Sequence, residues 1–193
     1  MAGLVVLVIF LDWDAAAARA VRSLGDNPVL KDWGTAAYWL GLGGVQIAFC
    51  VLLALIGWLR RRPSLRRLGF LGLAAVVVSG LATQVFKHLV GRPRPRLHQP
   101  IWQGLMPTFD SDWHSFPSGH AATSFALAAV LASRYPDWGF LFYGLAVFVA
   151  CGRLLSGSHY LSDTLAGAVL GLMVGWLLAA WDRRRRRVAE AAA

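Results

Sequence analysis

Four long runs of this chain carry no charge at all: residues 36–59, 68–86, 138–151 and 165–181. An α-helix needs roughly 20 predominantly apolar residues to cross a hydrocarbon core, and with their flanks these runs approach that length. No water is available in lipid to satisfy backbone N–H and C=O groups, so only helices or closed barrels span a membrane. The runs lack the strict apolar–polar alternation of barrel strands, which favours helices. The composition agrees: 57% of the 193 residues are hydrophobic and only 15% charged, an excess that a water-soluble domain would not carry. The fold class expected is all-α, a polytopic membrane helical bundle of about six transmembrane helices.

The expected spans are residues 1–11 (a short first span or re-entrant end), 34–59, 68–89, 118–133, 138–155 and 162–181. Residues 12–22 alternate polar and small apolar side chains at helical spacing and are expected to lie along the interface. Asp26, Asn27 and Pro28 mark a turn. The chain reads as one membrane-embedded domain over 1–193. It comprises a short first span and interfacial segment (1–33), core spans (34–182) and a basic cytoplasmic tail (183–193). Cys50 and Cys151 fall inside apolar runs without metal-ligand spacing and are expected to be small buried residues rather than a disulfide.

Net charge is +9, but the arginines cluster in short loops at span ends. That is the pattern of topology determinants and anionic headgroup contacts. No basic surface with interleaved aromatics lies outside the spans, so nucleic acid is not an expected partner. Counting alternate crossings brings three polar blocks to one face: Lys87 with Arg94 and Pro95; Pro117, Ser118, Gly119 and His120; and Arg153 with His159 and Asp163. The opposite face collects Arg60, Arg61, Arg62, Arg66, Arg67, Arg134 and the arginines of 183–187. Arginine-rich flanks favour the cytoplasm, so the face with the three blocks is expected to be extracytoplasmic.

Burying a charge in lipid costs roughly 2.5–3.5 kcal/mol or more, so such residues usually mark function. His159 and Asp163 are four apart and share a helix face. A carboxylate beside an imidazole fixes its tautomer, which suits an oriented nucleophile or base. Alone, the pair would equally fit a metal site or a buried hydrogen bond. Lys87, Arg94 and Arg153 would repel a metal cation and clamp an anion instead. Ser118 is a good N-cap, Gly119 permits close backbone approach, and a helix start attracts anions. Together the blocks predict a phosphate site. Arg92 and Arg96 are expected to contact headgroups, Asp110 and Asp112 to pair with loop arginines, and His88, His98 and His114 to stay outside the site.

These blocks resemble the signature of the type-2 phosphatidic acid phosphatase (lipid phosphate phosphatase) family, which shares a core with vanadium haloperoxidases. Lys, six residues, Arg-Pro is matched by Lys87, Arg94 and Pro95. Pro-Ser-Gly-His is matched by Pro117, Ser118, Gly119 and His120. Ser-Arg, five residues, His, three residues, Asp is matched by Arg153, His159 and Asp163, with Gly152 in place of the serine. The motifs cover 87–163, and the apolar pattern extends the likeness toward the bacterial six-helix membrane branch. The resemblance implies a metal-independent, cofactor-free lipid phosphatase in a bacterial cytoplasmic membrane, with its site facing the periplasm or exterior. Its substrates would be lipid phosphates or diphosphates: undecaprenyl diphosphate, phosphatidylglycerophosphate, phosphatidic acid or a lipid A phosphate. His159 would be the nucleophile forming a phosphohistidine, Asp163 its orienter and His120 the proton donor. Lys87, Arg94, Ser118, Gly119 and Arg153 would hold the phosphoryl oxygens. A lipid phosphotransferase of the same family and a non-catalytic scaffold or transporter are the alternative readings.

Overall fold

The computed structural model describes residues 2–25 and 27–191, with side chains from residue 12 onward. Among these residues seven α-helices and three short 3-10 turns account for the regular structure, and no strand occurs. The helices are α1 (Ala2–Ser23), α2 (Pro28–Gly41), α3 (Gly43–Leu59), α4 (Pro63–Val90), α5 (Gly119–Arg134), α6 (Gly139–Leu155) and α7 (Leu161–Ala191). The starts are locally encoded. Asn27 caps α2 by accepting from the Val29 N–H, with Pro28 in the first turn, and Pro63 opens α4. Gly91, at φ 59°, ends α4 in the left-handed conformation that glycine adopts without a Cβ penalty.

One expected span, 34–59, is broken into two helices, bent by 49° at Leu42. Residues 12–22, expected along the interface, belong to the single helix α1. The expected first span, 1–11, concerns side chains outside the described ones. The basic tail expected over 183–193 is helical as far as Ala191, as the end of α7. Finally, three helical segments are long and apolar enough to cross a bilayer: Pro63–Leu97, Pro136–Leu155 and Leu161–Ala191. The bent α2–α3 pair adds a fourth. At 16 residues, α5 reaches only about 24 Å, short of the ~30 Å hydrocarbon core.

That short helix is the centre of the bundle. Ala121, Ala122, Ala126, Ala128, Ala129 and Val130 along it are buried, and small side chains there let neighbours come close. The closest neighbour is α7. A Cβ on Gly167 would lie 2.4 Å from the Ser118 carbonyl oxygen, one on Gly171 2.1 Å from that of Ala122, and one on Gly175 2.6 Å from that of Ala126. The two helices therefore run parallel, backbone against backbone. Asp163 sits one turn before Gly167 on the same stripe, so this packing delivers its carboxylate to the start of α5. The Ser118 N–H donates to the Asp163 carbonyl at 2.9 Å.

α3 and α4 approach equally closely, with Gly69 against the Ala54 backbone and Gly57 against Arg66. Their apolar contact continues through Cys50, Val76 and Leu127. α2 lies antiparallel to α6, with Gly34 facing Ser156, Ala37 facing Gly152, and Gly41 against Val149 and His120. At the end of the bundle remote from Ser118, Asp182 is buried between Arg67 of α4 and Arg186 of α7, at 2.5 Å from each.

Candidate active site

The ends of α4 and α6 and the starts of α5 and α7 converge on one pocket. A 27-residue connection from Gly91 to Pro117 closes it. This loop is ordered by its own backbone pairing: Met106 to Val90, Thr108 to His88, Arg94 to Asp112 and Ser115 to Arg92, at 3.0–3.2 Å. It enters α5 through a cis Phe116–Pro117 bond. Ser118 caps the helix, its hydroxyl oxygen accepting from the Ala121 N–H. The Gly119 and His120 amides are the ones a helix start leaves without an internal acceptor.

Lys87 comes from the last turn of α4. Its ammonium lies 3.9 Å from where a Cβ on Gly119 would sit, and it has no hydrogen bond or ion pair among the described residues. Arg94 is braced by carbonyls: its Nε donates to Ser111 at 3.1 Å and its Nη1 to Ser158 at 3.2 Å. Arg153 is buried with its Nε unpartnered, and its guanidinium stands 5.5 Å from the Tyr38 ring centroid. The His120 ring lies 5.4 Å from the same tyrosine, and its buried Nε2 has no partner. His120 and His159 both feel the charges of Lys87 and Arg94. The structure thus brings together the eight residues singled out in the sequence: Lys87, Arg94, Ser118, Gly119, His120, Arg153, His159 and Asp163.

The way His159 is held differs from the expectation. Its Nδ1 lies 2.8 Å from the Ser115 carbonyl oxygen and 3.7 Å from Asp163 Oδ2. A carbonyl can only accept, so Nδ1 carries the proton and Nε2 keeps its lone pair. Asp163 therefore does not orient the ring through a direct hydrogen bond. Its carboxylate instead accepts from the Ser115 hydroxyl at 2.5 Å, the Tyr160 N–H at 2.8 Å and Arg92 Nη1 at 2.5 Å. Burial pushes the His159 imidazole down to about 4; Asp163 opposes that shift, and the Lys87 and Arg94 cations add to it.

Arg92 is the second departure. Expected at lipid headgroups, it is 4% exposed and paired with Asp163 and Asp14. Arg96, by contrast, is exposed and pairs with Asp112, while Asp110 caps the 3-10 turn Ser111–Trp113. The His88 and His114 rings meet at 57° with centroids 4.5 Å apart, His114 bonding the Thr108 carbonyl oxygen. Asp14, Ser115, Tyr38 and Ser162 were not singled out in the sequence. For Asp14 a signal existed: a carboxylate followed by four alanines in a helix needs a buried partner once that face packs.

Gly152, where the family signature has serine, has a packing explanation. A Cβ there would lie 2.2 Å from the Ala37 Cβ and 3.2 Å from the Trp33 ring. Gly152→Ser is therefore expected to push α2 away from α6, costing about 1–3 kcal/mol by overpacking. Adding Ala37→Gly recovers most of the loss. Thermal melts of the purified single and double variants check this; a single variant as stable as wild type contradicts it.

Among the described residues no group of three or more His, Cys, Asp or Glu side chains is arranged to hold a metal ion.

The family model described as the PAP2 superfamily matches residues 67–187. A lipid A 1-phosphatase of Rhizobium johnstonii is 34% identical over 106 residues, 54% of this chain and 43% of that protein. The chain thus spans less than half the length of that relative. A bacitracin transport permease protein BcrC of Bacillus licheniformis is 29% identical over 169 residues, covering 85% of this chain and 78% of the relative. The crystal structure of a transmembrane PAP2-type phosphatidylglycerolphosphate phosphatase from Bacillus subtilis superposes with a TM-score of 0.70. It covers 89% of this chain and 85% of that one at 22% identity, a likeness of fold.

Proposed function

The chain belongs to the PAP2 superfamily, and on that premise we propose that it is an integral-membrane lipid phosphatase working through a phosphohistidine. The observation that carries this reading is the tautomer of His159. With Nδ1–H committed to the Ser115 carbonyl, the Nε2 lone pair is the one available for attack on phosphorus.

In the first step Nε2 forms the N–P bond as the P–O bond to the lipid breaks. The leaving oxygen takes a proton from His120. In the second step water attacks phosphorus, His120 takes back a proton, the N–P bond breaks and inorganic phosphate leaves. Negative charge spreads over the phosphoryl oxygens throughout, so cations and aimed N–H groups do most of the work. Lys87, Arg94 and Arg153 supply the cations. The Gly119 and His120 amides at the start of α5 supply the N–H groups. Asp163 stabilises the positive charge that grows on His159. The substrate is a lipid phosphate or diphosphate, of the undecaprenyl diphosphate, phosphatidylglycerophosphate, phosphatidic acid or lipid A type. A lipid fits a site placed at the ends of long apolar helices.

We infer six passes, with α2 and α3 forming one bent crossing and α1 and α5 completing the set. The site faces the exterior or periplasm. Eleven of the nineteen Lys and Arg residues flank the opposite ends of the helices: Arg60, Arg61, Arg62, Arg66, Arg67, Arg134 and residues 183–187. Such flanks favour the cytoplasm.

Purified protein offered these four lipid classes, with a chelator present, is expected to release inorganic phosphate from at least one. Because His159 must be neutral to attack, and burial holds it near 4, the acid limb of kcat/KM is expected near pH 4, with an alkaline limb where His120 loses the proton it donates. No turnover on any lipid refutes the phosphatase reading. An acid limb at the ordinary histidine value near 6.5 refutes the buried neutral nucleophile.

A further inference from the structure

Behind Asp163, Arg92 and Asp14 continue a buried file whose two further members the phosphoryl-transfer steps leave unused. Asp14 is 1% exposed, Arg92 4% and Asp163 0%. Arg92 Nη1 donates to Asp163 Oδ1 at 2.5 Å and to the Ser162 hydroxyl at 2.8 Å. Its Nη2 donates to Asp14 Oδ2 at 2.6 Å and its Nε to the Ile101 carbonyl at 3.2 Å. Asp14 also accepts the Ser162 N–H and hydroxyl at the start of α7. The Tyr160 ring covers the guanidinium at 4.3 Å. Arg92 thus spends four of its five N–H groups on protein acceptors and is shut away from the pocket, and it is not placed to be a phosphate ligand.

The file has a neighbour problem to solve. Asp163 lies within electrostatic range of Lys87 and Arg94 as well as Arg92. A carboxylate free to turn would pair with those two cations and occupy the place of the phosphoryl oxygens. Arginine's rigid two-pronged fork can hold two carboxylates in fixed directions, which a lysine cannot. Asp14 matters because it fixes the other side of that fork from α1.

We propose that Asp14 and Arg92 are positioning residues: Asp14 anchors Arg92, and Arg92 holds the Asp163 carboxylate beside His159 and away from Lys87 and Arg94, keeping both cations free for the phosphoryl group. This rests on the phosphatase reading for its catalytic consequence, but its binding consequence stands without it.

The test is a double-mutant cycle on the full chain in detergent. It is read by kcat and KM for whichever lipid phosphate the wild type turns over and by the Kd for inorganic phosphate. Asp14→Asn is expected to raise KM and the phosphate Kd about tenfold, and Arg92→Met about a hundredfold, the scale seen when one partner of a buried charge pair is lost. In the Arg92→Met background, Asp14→Asn partly restores binding, because it removes one of two buried carboxylates left facing each other. A lesion of stability alone lowers the active fraction and hence kcat, leaving KM and Kd in place. If Arg92→Met yields no folded protein, Arg92→Lys takes its place in the cycle and shows the same partial recovery. The proposal is overturned if Asp14→Asn leaves KM and Kd within twofold of wild type, or if the two losses multiply. Wild type that binds phosphate yet hydrolyses no lipid sinks the phosphatase reading, while the Kd arm still decides the positioning role.

Discussion

His159→Ala is expected to abolish phosphate release, lowering kcat by on the order of 10⁴-fold or more, as loss of a covalent nucleophile does elsewhere. The reason lies in how this one ring is placed. Of the two histidines in the pocket, His159 has its Nδ1–H held by a backbone carbonyl, whereas the His120 Nε2 is buried without a partner; outside it, His88 Nδ1 bonds the Gln84 carbonyl oxygen within α4 and His114 Nε2 that of Thr108. None of these other three can substitute. The side chain is buried at 2% exposure, so its removal also leaves a small cavity. His159→Asn keeps the Ser115 contact without a nucleophilic nitrogen and separates chemistry from packing. Both variants should fold and bind inorganic phosphate through Lys87, Arg94 and Arg153. Released phosphate measured by a colorimetric assay, with thermal melts alongside, settles the matter. Residual turnover above about one per cent in either variant overturns the nucleophile assignment.

Gly171→Leu is expected to be the most damaging change away from the pocket. Even a Cβ would lie 2.1 Å from the Ala122 carbonyl oxygen, which belongs to backbone and cannot swing aside. Parting α5 from α7 opens the packing through Gly167 and Gly175. It also breaks the bond from the Ser118 N–H to the Asp163 carbonyl, so pocket geometry goes with it. Overpacking of this kind costs about 3 kcal/mol or more, a large part of a typical folding free energy of 5–15 kcal/mol. Loss of a monodisperse peak on gel filtration, or a melt lowered by ten degrees or more, is the outcome expected. A variant that melts with wild type and retains activity would show that the two helices are not seated as described.

Lys87, His120, Arg153 and His159 were legible because each is a polar residue at the edge of a long apolar run, and alternation of direction carries such edges to a common end. Ser118 was legible because capping chemistry is local. Arg94 was placed in the clamp by its motif, but the buried pairing of Arg92 was not legible. The two are the same residue type two apart in an irregular segment, and only the pairing of Ser115 with Arg92 and of Asp112 with Arg94 turns one inward to carboxylates and the other toward the pocket. Asp14 meets Ser162 across 148 positions, a distance over which no periodicity carries information. The glycine stripe of α7 was hidden for another reason. In an apolar run glycine reads as one more small residue, until a facing backbone is known to need the space. The bend at Leu42 is similarly a product of context, since α2 must follow α6 while α3 must follow α4.

The buried Asp182 clip between Arg67 and Arg186 has a mechanical corollary. α4 and α7 carry Lys87 and Asp163, and they are stapled together a bilayer's breadth from the chemistry as well as beside it, through Arg92. Two rods fastened at both extremities can bow but cannot hinge apart. For the lipid substrate proposed above, room for the tail would have to come from helices that lack such a fastener.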